Sequence, residues 1–104
     1  MYLLALLLLT LPWSSANEFD NMPEVKAITK GQPKEVTTLI GRIAECNHWG
    51  SEEPYDKARA EEIGKAIKKA KCDRLDSDEL AIKKKHKGNN KVSEAIDQAK
   101  TLGI

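Results

Sequence analysis

Cys46 and Cys72 are the only cysteines of the 104-residue chain. Whether they pair depends on where the chain is delivered. It opens MYLLALLLLTLPWSSANEF, in which Leu3 to Leu11 is almost unbroken leucine. Pro12 and Trp13 end the run, and Ser14, Ser15 and Ala16 supply small residues for cleavage. This predicts a signal peptide over 1–16, cut after Ala16, with the α-amino group as the only positive charge ahead of the leucines. The apolar run is about ten residues, against roughly 20 for a membrane-spanning helix, so no span is expected after processing. Export to the periplasm, or secretion beyond it, places both thiols in an oxidising compartment. An even count there predicts a Cys46–Cys72 disulfide. Closing a loop of that length stabilises a domain by roughly 3–4 kcal/mol.

Such a staple matters because the mature chain, Asn17 to Ile104, has little with which to build a core. Its large apolar residues are scattered, and much of the remainder is Ala, Lys and Glu. Residues 17–32 read as a loose N-terminal lead-in with a short helical stretch at Pro23 to Lys30. Pro33 suits a first helical position. Val36, Leu39, Ile40 and Ile43 then recur at the spacing of one helix face, which predicts a helix over 33–48. Gly50, Ser51 and Pro54 break it. A second helix over 55–71 carries Ala60, Ile63, Ala66, Ile67 and Ala70 on one face. A third over 78–87 starts near the caps Asp76 or Ser77, and a fourth over 91–102 follows Asn90. No segment alternates at period two. The expected class is all-α: a small bundle of three or four helices over 33–104, with one disulfide.

Geometry then constrains the bundle. In a simple hairpin of the first two helices, Cys46 lies beside the start of the second helix and Cys72 at its far end. That is about 24 Å of helix, whereas a disulfide holds Cα atoms within about 7 Å. Keeping the disulfide predicts that 47–55 runs back along the second helix as a packed strap. Trp49 and Tyr55 would cover the alanines, and the helices would cross.

The segment ECNHWGSEEPYD, Glu45 to Asp56, concentrates the chemically interesting side chains. Cys46, His48 and Cys72, with His86, are soft enough to suggest metal or redox handling, but Cys-x-His is not a usual zinc spacing. Cys46 and His48 sit two apart on a helix and point about 160° apart, a poor nucleophile–base pair. Adjacent acids such as Glu52 and Glu53 at a helix entry more often serve the cap and dipole. DRLDSDEL, Asp73 to Leu80, fails the register of a calcium loop. No cofactor, metal or catalytic group is expected. The run KKKHK places Lys83, Lys84, Lys85 and Lys87 on one stretch, a basic face that could meet an anionic envelope polymer. Formal net charge is +1 and no aromatic interleaves with the lysines, so nucleic acid is not expected as a partner.

The pattern Cys46-x-His48-Trp49, then Gly50-Ser51-Glu52-Glu53-x-Tyr55-Asp56, then a distal Cys72, resembles a group of small exported proteins of Gram-negative bacteria. Those carry Cys-x-His-Trp/Phe, Gly-Glu-Glu-x-Tyr-Asp and a second cysteine; here Ser51 intervenes in the turn. The resemblance implies export and a disulfide, and no activity. The reading is a non-catalytic binding protein of inhibitor or immunity type, not an enzyme. It would meet another envelope or secreted protein through His48, Trp49, Glu52, Glu53 and Tyr55. The alternative is metal or redox handling through Cys46, His48 and Cys72. Intact mass of the exported protein is expected to begin at Asn17, to be two hydrogens light, and to be unchanged by alkylation before reduction. Two alkylatable thiols would remove the disulfide.

Overall fold

The apolar stripe of Val36, Leu39, Ile40 and Ile43 determines the centre of the molecule. The computed structural model describes residues 18–102, so the signal-peptide reading over 1–16 lies outside the described residues. Five helices are present: α1 Pro23–Thr29, α2 Lys34–Gly50, α3 Lys57–Lys69, α4 Leu75–Lys85 and α5 Asn90–Lys100. Short 3₁₀ turns at Glu18–Asn21 and Cys72–Arg74 accompany them, and no strand occurs among the described residues. The all-α class stands. The helix count exceeds the expected three or four because α1 forms, with Pro23 supplying a first-turn residue that needs no hydrogen bond.

α2 touches every other described element. Its Val36, Leu39, Ile40, Ile43 and Ala44 are buried against Val92, Ala95, Ile96 and Ala99 of α5. Each such aliphatic chain is worth roughly 1.5–3 kcal/mol when fully removed from water. The segment read from sequence as a loose lead-in closes the same core, through Phe19 at 5% exposure and Val25 at 1%. Close packing extends to Gly41: a Cβ there would meet Asp20 Oδ1 at 2.1 Å. Burial raises the pKa of that carboxyl.

Caps adjust the expected boundaries. Asp56 Oδ1 accepts from the Arg59 backbone N–H at 2.7 Å, so α3 begins at Lys57. Asn89, not Asn90, caps α5, accepting from the Lys91 and Val92 amides. Ser77 Oγ donates to the Arg74 carbonyl and lies inside α4, which starts three residues earlier than its expected cap would place it.

Cys46 and Cys72 are joined, with Cα atoms 5.7 Å apart. The strap expected around this bond is not formed. Asn47 to Gly50 continue α2, residues 51–56 alone make the connection, and Tyr55 is 78% exposed. The contacts instead run in antiparallel order with a stagger. Arg42 Nε and Nη2 donate to the Ala70 and Lys71 carbonyls at 3.0 and 3.1 Å, while Arg59 lies against Trp49. About 20 Å of helix separates Lys57 from the Ala70 end, whereas Cys46 lies only about 6 Å from the end of α2. A connection able to extend by about 20 Å covers the difference without running back along α3.

α3 consequently adds little to the core. Only Ile63 and Ala70 are buried at its end of the bundle, and neither joins the main apolar cluster. Its attachment rests on the disulfide, on Arg42 and on the Trp49–Arg59 contact. After α3 the chain turns at Lys71, whose φ of 55° is left-handed. That conformation costs a side-chain-bearing residue roughly 1–2 kcal/mol relative to glycine. Replacing both cysteines with alanine is expected to lower the unfolding free energy by about 3 kcal/mol in a denaturant titration. Hydrogen exchange is expected to rise first in α3 while α2 and α5 stay protected. Uniform loss of protection would show that α3 is integral to the core.

Candidate functional site

The last turn of α2 and the first turn of α3 meet through one arginine. Arg59 lies with its guanidinium carbon 5.2 Å from the Trp49 ring centroid. Its Nη2 donates to Glu52 Oε1, and its Nη1 donates to Glu62 Oε1 at 2.7 Å. The hydrogen bonds to Glu52 and then Glu62 raise the arginine's pKa further, holding it cationic. Its Nε is buried without a hydrogen-bond partner among the described residues. Trp49 meets His48 edge-on at 5.0 Å between ring centroids, and His48 lies 5.1 Å from Phe19. His48 Nε2 also approaches Glu52 Oε2 at 3.9 Å. A continuous stack therefore runs from buried Phe19 through His48 and Trp49 to Arg59.

Of the five residues that the sequence marks for partner binding, this stack uses three. His48, Trp49 and Glu52 are half-buried and engaged within the protein, whereas Glu53 and Tyr55 are exposed. The segment that presents them is held at both ends. The Ser51 backbone N–H and Oγ both donate to the His48 carbonyl, at 3.2 and 2.9 Å. The Tyr55 N–H donates to the Glu53 carbonyl at 3.0 Å, a three-residue turn centred on Pro54, whose ring restricts φ. Asp56 then caps α3. Clasp and display thus alternate along a few residues.

Half of the basic run's lysines are paired. Lys83 Nζ lies 2.7 Å from Asp97 Oδ1 and 3.2 Å from Glu79 Oε2. Lys85 Nζ and His86 Nε2 both reach Glu35, at 2.9 and 2.6 Å. These pairs tie α4 to α5 and to the start of α2. Only Lys84 and Lys87 of the expected basic face stand exposed without an ion pair among the described residues. Between α2 and α4 lies an open groove of about 700 Å³, with Leu39, Ala81 and Ile82 on its walls. The Arg42–Asp78 ion pair, 2.9 Å, also lines it.

Arg59 and Arg42 escape sequence reasoning because the acceptors and the ring they reach are brought to them only by helix packing. One signal was available: they are two of only three arginines in a chain rich in lysine, and a planar fork suits stacking and paired acceptors. Cys46 and Cys72 are joined to each other and so present no thiolate for a metal. Among the described residues no three His, Cys, Asp or Glu side chains converge on one point. No family model, curated protein or solved structure matches the chain.

Hydrogen bonds from Lys85 and then His86 lower the Glu35 pKa. A carboxyl with a folded pKa below its unfolded one stabilises the fold above the unfolded value, and that contribution is lost as pH falls through the folded value. Thermal melts are expected to drop across the acidic carboxylate range, and Glu35→Gln is expected to flatten part of that drop. An unchanged pH profile in the variant would show that the Glu35 cluster contributes no linkage.

Proposed function

We propose that this is an exported, non-catalytic binding protein of inhibitor or immunity type, whose Glu53-Pro54-Tyr55 turn inserts into a cationic cleft of a secreted or envelope protein. The observation that carries the reading is Tyr55, a large aromatic 78% exposed at the closing position of a turn whose flanks are both tied down. A tyrosine has few rotors to immobilise and combines an apolar ring with a hydroxyl, which suits it to anchor an interface. A turn already held in shape loses little entropy on docking. Glu53 and Asp56 flank the ring with negative charge; of the nearby cations Lys57 is exposed, while Arg59 is already paired with Glu52 and Glu62. That balance favours a basic partner surface and steers its approach. The Trp49–Arg59–Glu52 cluster supports the turn from behind and is not the contact itself.

Tyr55→Ala with Glu53→Ala is expected to abolish capture of the partner from the envelope and secreted fractions of the source cell, leaving the melting temperature unchanged. Trp49→Ala is expected to weaken capture and to lower stability as well, because it removes the support. Capture that survives the Tyr55 and Glu53 double variant would remove the turn from the interface.

A further inference from the structure

Among the described residues, no apolar side chain between Cys46 and Arg74 belongs to the main core cluster or packs against it. The core resumes at Leu75. The Cys46–Cys72 bond therefore does not tie the core to itself. It fastens to α2 one contiguous segment that the core omits.

The other fastenings of that segment are slight. Ile63 and Ala70 are its buried apolar side chains. At its start Arg59 meets Trp49, Glu52 and Glu62 in half-exposed contacts, which hold weakly in water. At its end Arg42 donates to the Ala70 and Lys71 carbonyls. Lys71, directly before Cys72, is held at a φ of 55°. Opening the crosslink lets it return to the right-handed region that a side-chain-bearing residue prefers. A 13-residue helix is marginal on its own in water, so α3 once detached unwinds. Asp56 caps α3 and closes the downstream flank of the Tyr55 turn, and unwinding removes that flank. Neither cysteine is fully buried, which leaves the bond open to exchange.

We infer that Cys46–Cys72 is a redox latch. A protein dithiol opens it, α3 leaves α2 and unwinds, and the core of α2 and α5 stays folded. The exchange balances on the reductant. One of its thiolates attacks a cysteine sulfur; a new S–S bond forms as the protein's breaks, and the electron pair leaves on the other cysteine. The second thiolate then closes the reductant's own disulfide and releases the first cysteine. The reductant's two protons end on Cys46 and Cys72. The consequence for binding rests on the reading of the Tyr55 turn as the contact. The oxidised form presents that turn ready-made, whereas the reduced form must order it on docking and binds more weakly.

The test compares the oxidised protein with protein treated with dithiothreitol in the absence of denaturant. Reduction is expected to be complete under these native conditions. It is expected to speed amide exchange across α3 by about 100-fold or more while α2 and α5 stay protected. Capture of the partner from envelope and secreted fractions is expected to fall by about tenfold, and reoxidation is expected to restore both readings. Cys46→Ser with Cys72→Ser is expected to match the reduced form and to ignore dithiothreitol. Exchange that rises equally in α2, α3 and α5 would overturn the latch, because the cut would then open the core. So would α3 exchange unmoved by reduction, or a bond that yields only in denaturant. Equal capture by the two redox forms, with α3 released in one, would overturn the control of binding. Tyr55→Ala with Glu53→Ala separates the two readings: its capture judges the turn, whereas its α3 exchange is expected to answer to dithiothreitol as in the wild type.

Discussion

Removal of one face of α2 from water is the interaction on which the other elements depend. Val36, Leu39, Ile40, Ile43 and Ala44 present a nearly continuous apolar surface, and every other described element packs against this helix. α5 supplies the largest facing surface through Val92, Ala95, Ile96 and Ala99, and Phe19 and Val25 close it from the N-terminal side. The small alanines on α5 let its backbone approach closely, which limits voids in a core with few large side chains.

α3 is organised on different terms. Its burial stops at Ile63 and Ala70, outside the main apolar cluster. A covalent bond at Cys46–Cys72 and two arginines do the attaching: Arg42 holds the C-terminal carbonyls, and Arg59 stacks over Trp49. Dispersion and burial would hold such a helix weakly, whereas the crosslink removes much of the entropy gained by releasing it. The division frees α3 from core duty. Its lysines therefore need not be reconciled with an apolar face, and its N-terminal connection can display Tyr55.

The charged residues show the limits of composition. Lysines 83 and 85 look from sequence like part of a solvated or polymer-binding face. Their nearest acids prove to be Glu79, Asp97 and Glu35, two of which are on other helices. Most of these pairs are exposed and individually weak. They tie α4 to its neighbours and leave Lys84 and Lys87 of that run without an ion pair among the described residues. The site residues divide in the same way. His48, Trp49 and Glu52 appear interchangeable with Glu53 and Tyr55 in the string HWGSEEPYD, yet the first three face inward and the last two outward.

Sequence alone determined the all-α class, the four helices after Pro33 to within a few residues, and the disulfide. Period-3.6 apolar spacing and cap residues are local signals, and two cysteines admit only one intramolecular pairing. It could not decide that Phe19 and Val25 belong to the core, because two apolar residues in a polar stretch acquire meaning only from the surface they cover. It also misjudged the connection after α2. Reasoning from helix length alone assumed that the helices begin level with each other, and a stagger satisfies the same disulfide with less chain. That stagger, and with it the inward turn of Trp49 onto Arg59 and the outward turn of Tyr55, was decided by tertiary packing. The physical reason is that the register between two helices depends on contacts such as Arg42 with Ala70 and Lys71, which join residues far apart in sequence and leave no local pattern to read.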